Sequence, residues 1–325
     1  MEHVSGNKKV LVTGGTGYVG QQLVNRLLEE GCEVFVLTRK KITLPHHDKH
    51  ITYMVGDITD PIILPEGIST IYHCAGAIYN TEELERVNVL GTKNIVDLAV
   101  KNNCILIYLS SAGITGYTKD PIVTEETIPH PHNAYGRSKY KAEQIVTDAI
   151  KSGLKAHILR PSTIFGVGNN KEGSSFLQLV RSMRNGLYKN IGDGYYNIFH
   201  ISEVIELLVL LGKTTEPYSN VYIFSNAISY KKMDELVKNI PPKITKKTQR
   251  VPYPIAFVLS ITLTIICFIL RKKNPLTLSR LQALTNRSIL SQEKIEKTIG
   301  FKNMFSVEEH IKNTCEEYLR SGAVK

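Results

Sequence analysis

The chain has 325 residues, 42% of them hydrophobic and 22% charged, a composition that indicates a globular protein and excludes a disordered one. Its formal net charge of +10 suits nucleic acid, an anionic membrane surface or a phosphate-bearing substrate. No nucleic-acid-binding motif accompanies this charge, so we expect no nucleic-acid partner. The five cysteines are odd in number and widely spaced, which favours a reducing compartment over a disulfide framework.

Short β-branched segments alternate with amphipathic ones from residue 9 to about residue 167, which predicts βαβ units around a parallel sheet. Strands are predicted at residues 10–13, 34–37, 51–55, 70–73, 105–110 and 156–159, and helices near residues 17, 82, 134 and 176. This order predicts an α/β fold with a Rossmann-type, doubly wound parallel sheet. The residues before the first strand contain no hydrophobic signal core, so we expect a cytoplasmic protein.

The pattern becomes less regular after Gly168, and helical periodicity returns at residues 204–211. We therefore predict a Rossmann domain over residues 1–168 and a smaller, interleaved substrate domain over residues 169–325. Within the second, residues 204–212 are expected to return to the Rossmann core. Further helices are predicted at residues 291–299 and 306–319.

A hydrophobic helix is predicted at residues 252–270, because residues 255–270 carry no charge and lysines and arginines flank them on both sides. Sixteen residues make a helix of about 24 Å, shorter than the hydrocarbon core of about 30 Å. A membrane span would also separate residues 274–325 from the rest of the substrate domain. We therefore favour an interfacial or re-entrant helix with peripheral contact to the cytoplasmic membrane face, over a buried core helix or a span.

A glycine-rich loop follows the first predicted strand and begins the first helix, which is the position that a dinucleotide phosphate loop requires. Gly14 permits the tight turn, Gly17 allows the backbone to approach a pyrophosphate, and Gly20 lets the helix pack on the strand. The alternative is an ordinary glycine-rich turn. The candidate cofactor-binding residues of this loop are Thr13, Gly14, Thr16, Gly17, Tyr18, Val19 and Gly20.

The end of the second strand predicts which dinucleotide binds. It lacks the carboxylate that would hold a ribose 2′-hydroxyl and offers Arg39 and Lys40, two cations suited to a 2′-phosphate. We therefore favour NADP over NAD, the alternative being that both cations begin a solvated loop. Asp57 closes the third strand, where its carboxylate could accept a hydrogen bond from the adenine amino group.

Tyr135 and Lys139 are four residues apart and therefore lie on one face of the predicted helix. A free tyrosine with a pKa of about 10 is a poor base, and a nearby ammonium group would stabilise its phenolate near neutral pH. Lys139 would also reach the ribose of the nicotinamide. The alternative is a surface Tyr/Lys pair.

Taken in order, these motifs resemble those of the extended short-chain dehydrogenase/reductases, which are NAD(P)-dependent epimerases, dehydratases and dehydrogenases. The resemblance covers residues 8–215. The chain also has features of the branch of this family that is similar to the 3β-hydroxysteroid dehydrogenases. The segments that carry it are residues 13–20, Asp57-Ile58, His73-Cys74-Ala75-Gly76, residues 88–92, Ser110-Ser111-Ala112, residues 135–139, Ala142-Glu143 and Arg160-Pro161.

The resemblance implies that Ser111 polarises the substrate oxygen, that Tyr135 is the acid/base and that Lys139 tunes it, while hydride passes between substrate and nicotinamide. It also implies a small-molecule substrate, a homodimer and no metal. Beyond the loop and the two cations, the residues it assigns to the cofactor are Asp57, Ile58, Cys74, Ala75, Gly76, Asn88, Tyr135, Lys139 and Pro161.

Departures from the family pattern reduce the number of reactions and substrates that fit this chain. Ala112-Gly113 stands where 4,6-dehydratases carry Asp-Glu, so elimination lacks its acid and base. Thr163 replaces the asparagine usual in nucleotide-sugar epimerases, and the arginine expected near Tyr196 is missing, whereas Gly136 is typical of the sugar branch. The hydrophobic helix and the tail after it are similar to the 3β-hydroxysteroid dehydrogenase branch.

We therefore expect oxidation, reduction or epimerisation at a secondary alcohol or ketone, preferably of a nucleotide sugar. One alternative is an oxidoreductase that acts on a lipid-like alcohol at the membrane surface. The other is a non-catalytic NADP-binding scaffold.

Other polar residues receive structural interpretations. The segment 46–50, His-His-Asp-Lys-His, offers metal-ligand types, but its loop position favours a polar turn. His73 and His200 lie among apolar residues and are expected to be structural. Glu203 is left open between a cap and a substrate contact.

Overall fold

A computed structural model describes residues 8–42, 49–168, 174–214, 220–272, 274 and 276–324. Its strands are β1 (Lys9–Thr13), β2 (Glu33–Thr38), β3 (Ile51–Val55), β4 (Ile68–His73), β5 (Ile105–Leu109), β6 (Ile122–Val123), β7 (Ala156–Pro161), β8 (Thr163–Phe165), β9 (Tyr195–His200), β10 (Asn220–Phe224), β11 (Asn226–Ser229) and β12 (Ile289–Leu290). Its α-helices are α1 (Tyr18–Glu29), α2 (Thr81–Glu83), α3 (Gly91–Lys101), α4 (Ala134–Lys151), α5 (Ser175–Arg184), α6 (Ile201–Lys213), α7 (Tyr230–Asn239), α8 (Tyr253–Ile269), α9 (Leu278–Thr285), α10 (Glu293–Ile299) and α11 (Val307–Arg320). Leu84–Leu90 is π-helical and Ala112–Ile114 forms a 3₁₀ turn.

The main sheet has seven parallel strands in the order β10-β7-β5-β4-β1-β2-β3. Its central strands are continuous apolar runs because helices cover both faces; Val10, Leu11 and Val12 of β1 are fully buried. The strand order reverses between β1 and β4, so a crevice opens at their carboxyl ends, beyond Thr13 and His73. The predicted Rossmann-type α/β fold is confirmed.

The two faces of the sheet carry separate hydrophobic cores. On one face α1 and α6 pack together over the strands, with Leu23, Leu27, Leu207 and Leu208 buried between them. On the other face α3 and α4 contribute a second layer, with Ile95, Ala99, Ala142 and Val146 buried. Because α4 is packed along most of its length, the residues of its first turn are fixed relative to the sheet.

A smaller group of elements lies beyond the carboxyl ends of these strands. It contains a three-stranded sheet in the order β11-β9-β8, a two-stranded pair of β6 with β12, and helices α5, α7 and α11. Phe165, Phe176, Met233 and Tyr318 are buried in its core. The helices predicted at residues 291–299 and 306–319 are confirmed as α10 and α11.

One strand lies elsewhere than the sequence analysis places it. β10 pairs with β7 in the main sheet, although residues 220–224 were assigned to the substrate domain. Tyr222 and Phe224 pack into the core of one face and Val221 against the core of the other, so both faces of this edge strand are covered. The domain division at residue 168 itself stays a prediction.

The hydrophobic helix predicted at residues 252–270 is present as α8, but it is not a core helix. Only Ala256 and Ser260 are buried, where α8 packs beside α9, and most other side chains of α8 are exposed. The buried-helix alternative is therefore wrong. Among the described residues, no helix combines the length and the apolar character needed to cross a bilayer.

Candidate active site

The glycine loop lies in the crevice where the strand order reverses. Gly14 has a φ of +72°, and a Cβ atom there would lie 2.7 Å from the backbone nitrogen of Ala75. A Cβ atom on Gly20 would lie 2.2 Å from the carbonyl oxygen of Gly14. Gly14 thus permits the turn and its contact with the segment after β4. Gly20 lets α1 approach the loop itself, whereas the sequence analysis assigned Gly20 to packing of the helix on the strand.

The N-terminus of α1 is open to an anion. Gly17 is its N-cap and supplies no side-chain hydrogen bond, so the first backbone N–H groups of the helix keep their donor capacity. Other helices are capped by a side-chain oxygen, among them α4 by Asn133, α5 by Ser174, α7 by Ser229, α9 by Thr277 and α11 by Ser306, whereas within the described part of the chain α3, α8 and α10 have no side-chain cap either.

The loop borders a cleft of about 240 Å³. Predicted cofactor residues that line it are Gly14, Thr16, Gly17, Arg39, Asp57, Ile58, Cys74, Ala75 and Gly76. Glu83 and Val87 also line the cleft, and the sequence analysis missed them because both precede the recognised segment 88–92 and belong to no motif. The cleft fits a dinucleotide whose pyrophosphate binds at the start of α1. The glycine loop, the uncapped N–H groups of α1 and the residues that line the cleft all agree with this ligand.

Asp57 is held as an acceptor in this cleft. Its carboxylate accepts hydrogen bonds from the backbone N–H and the hydroxyl of Thr59, both at 2.9 Å, and lies 3.8 Å from the Arg86 guanidinium. Burial raises the pKa of Asp57, but these hydrogen bonds and the nearby Arg86 and Arg39 outweigh burial and hold it below its usual value. Asp57 therefore presents an ionised carboxylate to the cleft.

Other predicted cofactor residues support the walls of the cleft. The Thr13 hydroxyl lies 2.7 Å from Nδ1 of His73 and accepts from the backbone N–H of Ala75 at 3.4 Å. The Asn88 amide donates to the Ala77 carbonyl at 3.0 Å and to the Ser138 hydroxyl at 2.9 Å. Thr13 and Asn88 therefore fix the segment after β4 against β1 and α4.

The remaining predicted cofactor residues lie outside the lining of the cleft. Tyr18 and Val19 begin α1, and the Tyr18 ring lies against Gly168. The backbone N–H of Lys40 donates to the Thr38 hydroxyl at 3.4 Å. Pro161 ends β7, opposite Phe224 of β10.

Ser111 and Tyr135 come together beside the cleft. Ser111 follows β5 and caps the 3₁₀ turn, its hydroxyl accepting from the Gly113 N–H at 3.0 Å. Tyr135 lies in the first turn of α4, which Asn133 caps by accepting from the Gly136 N–H at 2.7 Å. The Ser111 hydroxyl lies near the Tyr135 phenol and lowers its pKa, but burial raises that pKa by more.

Lys139 lies one turn further along α4 and only 3% of its surface is exposed. Its ammonium group donates to the Leu109 carbonyl at 2.6 Å and lies 4.5 Å from the centroid of the Tyr108 ring. Burial lowers the pKa of Lys139 to about 8, against the opposing influence of Glu143. The expected lowering of the Tyr135 pKa is not found here: the ammonium is directed to Leu109, and burial dominates at Tyr135.

A buried ion pair supports these residues from behind. Glu143 accepts from the Ser110 hydroxyl at 2.6 Å and from Nη2 of Arg160 at 2.5 Å, so it connects α4 to β5 and β7. The side chains of Glu143 and Arg160 are 4% and 7% exposed. The sequence analysis used Glu143 and Arg160 only as motif positions. Their ion pair could not be predicted, because no local sequence pattern shows that the two side chains are in contact.

The histidines are consistent with structural roles. His73 is fully buried between the hydroxyls of Thr13 and Thr92, and burial lowers its pKa to about 3, so it is neutral. His200 caps α6 and stacks on His310, with ring centroids 4.0 Å apart.

Glu203 is bonded within the protein. Its carboxylate accepts from Nε2 of His310 and from the backbone N–H of Met304, at 2.9 and 2.8 Å, so it fixes the start of α11 against α6. In the described ranges, no three His, Cys, Asp or Glu side chains are grouped so that they could hold a metal ion. His46, His47 and Asp48 lie outside the described residues.

The chain is similar to proteins of a known family. Residues 10–222 match the model of the NAD dependent epimerase/dehydratase family. The chain belongs to this family. The resemblance to extended short-chain dehydrogenase/reductases and the NAD(P) cofactor class are thereby confirmed, whereas the preference for NADP stays a prediction.

Named members of the epimerase/dehydratase family differ in substrate. The chain is 33% identical over 217 residues to a 3-beta-hydroxysteroid dehydrogenase from Mycolicibacterium neoaurum, which is 61% of this chain and 56% of that relative. It is 25% identical over 331 residues to a UDP-glucose 4-epimerase from Vibrio cholerae, 97% of this chain and 96% of the relative. The solved structure of MoeE5 in complex with UDP-glucose and NAD is 22% identical, has a TM-score of 0.72 and aligns over 96% of this chain and 99% of that one, which supports the fold.

Proposed function

We propose that the protein catalyses NAD(P)-dependent oxidation and reduction, or epimerisation, at a secondary alcohol or ketone, with a nucleotide sugar as substrate. The observation that carries the proposal is the proximity of the Ser111 and Tyr135 hydroxyls, next to a cleft that fits a dinucleotide. When bound, the nicotinamide cofactor accepts a hydride from the substrate carbon or returns one to it.

The residues of the chain supply binding and proton transfer. The Ser111 hydroxyl orients and polarises the substrate oxygen, and the Tyr135 phenol exchanges the proton of that oxygen. At neutral pH the raised pKa keeps the phenol protonated, ready to donate to a ketone. In this proposal the Lys139 ammonium, charged below about pH 8 and one helical turn from Tyr135, favours the phenolate as it forms.

A nucleotide sugar is favoured by Gly136 and by the similarity, over nearly the whole chain, to the relative named UDP-glucose 4-epimerase. The second candidate is a lipid-like alcohol, which the exposed helix α8 and the relative named 3-beta-hydroxysteroid dehydrogenase favour. α8 packs on α9, and the Tyr117 hydroxyl, close after Ser111, donates to the Ser279 carbonyl of α9 at 3.2 Å. The apolar helix is thus tied to the loop of the active site.

Turnover with UDP-glucose and with a 3β-hydroxysteroid, each with NAD or NADP, separates the candidates. Epimerisation leaves nicotinamide absorbance unchanged while the sugar product changes, whereas dehydrogenation or reduction changes the absorbance. Turnover of the sterol and none of the sugar would support the second candidate. Cofactor binding with no turnover of either substrate would support the non-catalytic NADP-binding scaffold.

We predict that Arg39→Asp reverses the preference for NADP. Arg39 lines the cleft and is the cation suited to a 2′-phosphate, and a lost charge-assisted hydrogen bond raises KM for NADP by about tenfold to a hundredfold. Lys40→Asp is the matched control, because it makes the same charge change just outside the cleft. The ratio of kcat/KM for NADP and NAD is the measurement, and an unchanged ratio in Arg39→Asp would remove Arg39 from the site.

We also propose a homodimer, from the family resemblance, and peripheral membrane contact through residues 252–270. Sedimentation velocity tests the homodimer, and binding to anionic vesicles tests the membrane contact.

A further inference from the structure

The net positive charge of the chain arises in one segment. Residues 236–292 contain ten lysines and arginines and no aspartate or glutamate. The chain has 40 basic and 30 acidic residues in all, so the 30 basic residues outside this segment balance the 30 acidic ones. The whole formal charge of +10 therefore belongs to residues 236–292, and α8 lies at the centre of that segment.

α8 presents apolar side chains on almost every side. Val258, Phe268 and Ile269 are 59%, 85% and 71% exposed, and only the strip with Ala256 and Ser260 is covered. A helix that lies flat on a membrane surface has a polar face for water, and α8 has none. Seventeen residues make it about 25 Å long, more than the roughly 15 Å depth of one leaflet's acyl layer, so it fits within one leaflet with its axis close to the membrane plane.

The serine and threonine hydroxyls of α8 need no water. Ser260 donates to the Phe257 carbonyl at 2.8 Å, Thr262 to the Val258 carbonyl at 3.1 Å and Thr264 to the Ser260 carbonyl at 2.7 Å. Each hydroxyl proton is thereby satisfied within the helix. This is the condition that an apolar environment sets for polar side chains.

Cations mark both ends of the apolar helix. Lys243, Lys246, Lys247 and Arg250 are exposed before it, and Arg271 and Lys272 are exposed after it. Lys246, Lys247 and Arg250 also line a groove of about 410 Å³ against α7. An apolar segment between two cationic ends matches a leaflet, in which acyl chains lie below a layer of phosphates.

We propose that α8 inserts into the acyl layer of an anionic membrane leaflet, with the cations at its two ends on lipid phosphates. This inference rests on the proposed membrane contact and adds its depth and the lipid charge it needs. A second copy of the chain is a poorer occupant. In a twofold pair of α8 helices, parallel or antiparallel, the cationic ends of one copy meet cationic ends of the other, and one neighbour covers only one strip.

Tryptophan fluorescence reports the depth, because the chain contains no tryptophan. Phe268→Trp places a single probe on α8, and Ile63→Trp places one at a site that is 90% exposed outside the basic segment. With vesicles of equal parts phosphatidylcholine and phosphatidylglycerol, we expect a blue shift and quenching by brominated acyl chains for the first probe only. An unshifted Phe268→Trp emission would overturn the insertion of α8.

Vesicle sedimentation tests the apolar and charged parts separately. We expect Ile265→Glu with Phe268→Glu to weaken binding about tenfold or more, and Ile63→Glu, the matched control, to leave it unchanged. Arg271→Gln with Lys272→Gln should weaken binding about fivefold for each charge removed, and added salt should weaken it further. Equal binding to pure phosphatidylcholine would overturn the phosphate contacts.

Sedimentation velocity without lipid tests whether a second copy of the chain covers α8 instead of a membrane. A dimer that Ile265→Glu with Phe268→Glu dissociates, together with no vesicle binding by the unmodified chain, would show that a second copy covers α8. The proposed catalysis is tested independently, because Tyr135→Phe should bind vesicles like the unmodified protein whether or not it turns over substrate.

Discussion

Replacement of Tyr135 by phenylalanine is expected to lower kcat by about a hundredfold to ten-thousandfold, the usual contribution of a positioned acid/base group. The substitution removes the hydroxyl that lies near Ser111 and keeps the ring in the first turn of α4. Cofactor affinity should change little, because Tyr135 is not among the residues that line the dinucleotide cleft. Steady-state kinetics and cofactor titration measure the two effects separately.

Tyr140→Phe is the matched control for this prediction, since it removes the same hydroxyl from the same helix. We expect it to keep kcat. Ser111→Ala should reproduce much of the loss seen with Tyr135→Phe, because the two hydroxyls act on one substrate oxygen. Unchanged turnover in Tyr135→Phe would refute the proposed mechanism.

The pH profile gives an independent test of Lys139. Burial lowers the pKa of Lys139 to about 8, so its ammonium is lost as the pH rises through that value. An uncharged Lys139 no longer favours the phenolate of Tyr135. We therefore expect the rate of alcohol oxidation to fall on the alkaline side near pH 8, and a rate that keeps rising beyond it would exclude this role.

The strands of the Rossmann sheet could be predicted because burial on both faces leaves a direct trace in the sequence, a short run of apolar and β-branched residues. β10 has the same trace in residues 221–224, yet it was assigned to the wrong part of the molecule. Its partner, β7, lies about sixty residues earlier, and local patterns do not encode which edge a strand joins. Sequence position alone therefore misplaced it.

The candidate site shows the same division between local and tertiary information. The glycine positions follow from local geometry, and the contacts of Gly14 agree with the role given to it. The raised pKa of Tyr135 depends on how deeply α4 is packed, which no spacing of residues reveals. The exposure of α8 is also a tertiary property, because an apolar run is equally typical of a core helix.

Glu143→Gln is predicted to destabilise the fold by about 3–5 kcal/mol, because it leaves the buried guanidinium of Arg160 without its counter-charge. Urea unfolding measures the loss. Asp97→Asn is the control: it breaks the exposed Lys93–Asp97 pair, whose energy is about 0–1 kcal/mol. Removing both charges with Glu143→Gln and Arg160→Met should recover much of the stability, since no buried charge then remains unpaired.

Glu143→Gln also tests whether Glu143 positions the catalytic residues or only stabilises the fold. The Glu143 carboxylate raises the pKa of Lys139 against the effect of burial. Without that negative charge the ammonium becomes less favourable, so the pKa of Lys139 falls further below its ordinary value. The alkaline limit of activity should therefore move to lower pH in Glu143→Gln. Loss of stability with an unmoved pH profile would assign Glu143 to folding alone, whereas a shifted profile in the folded variant connects the buried ion pair with the charge beside Tyr135.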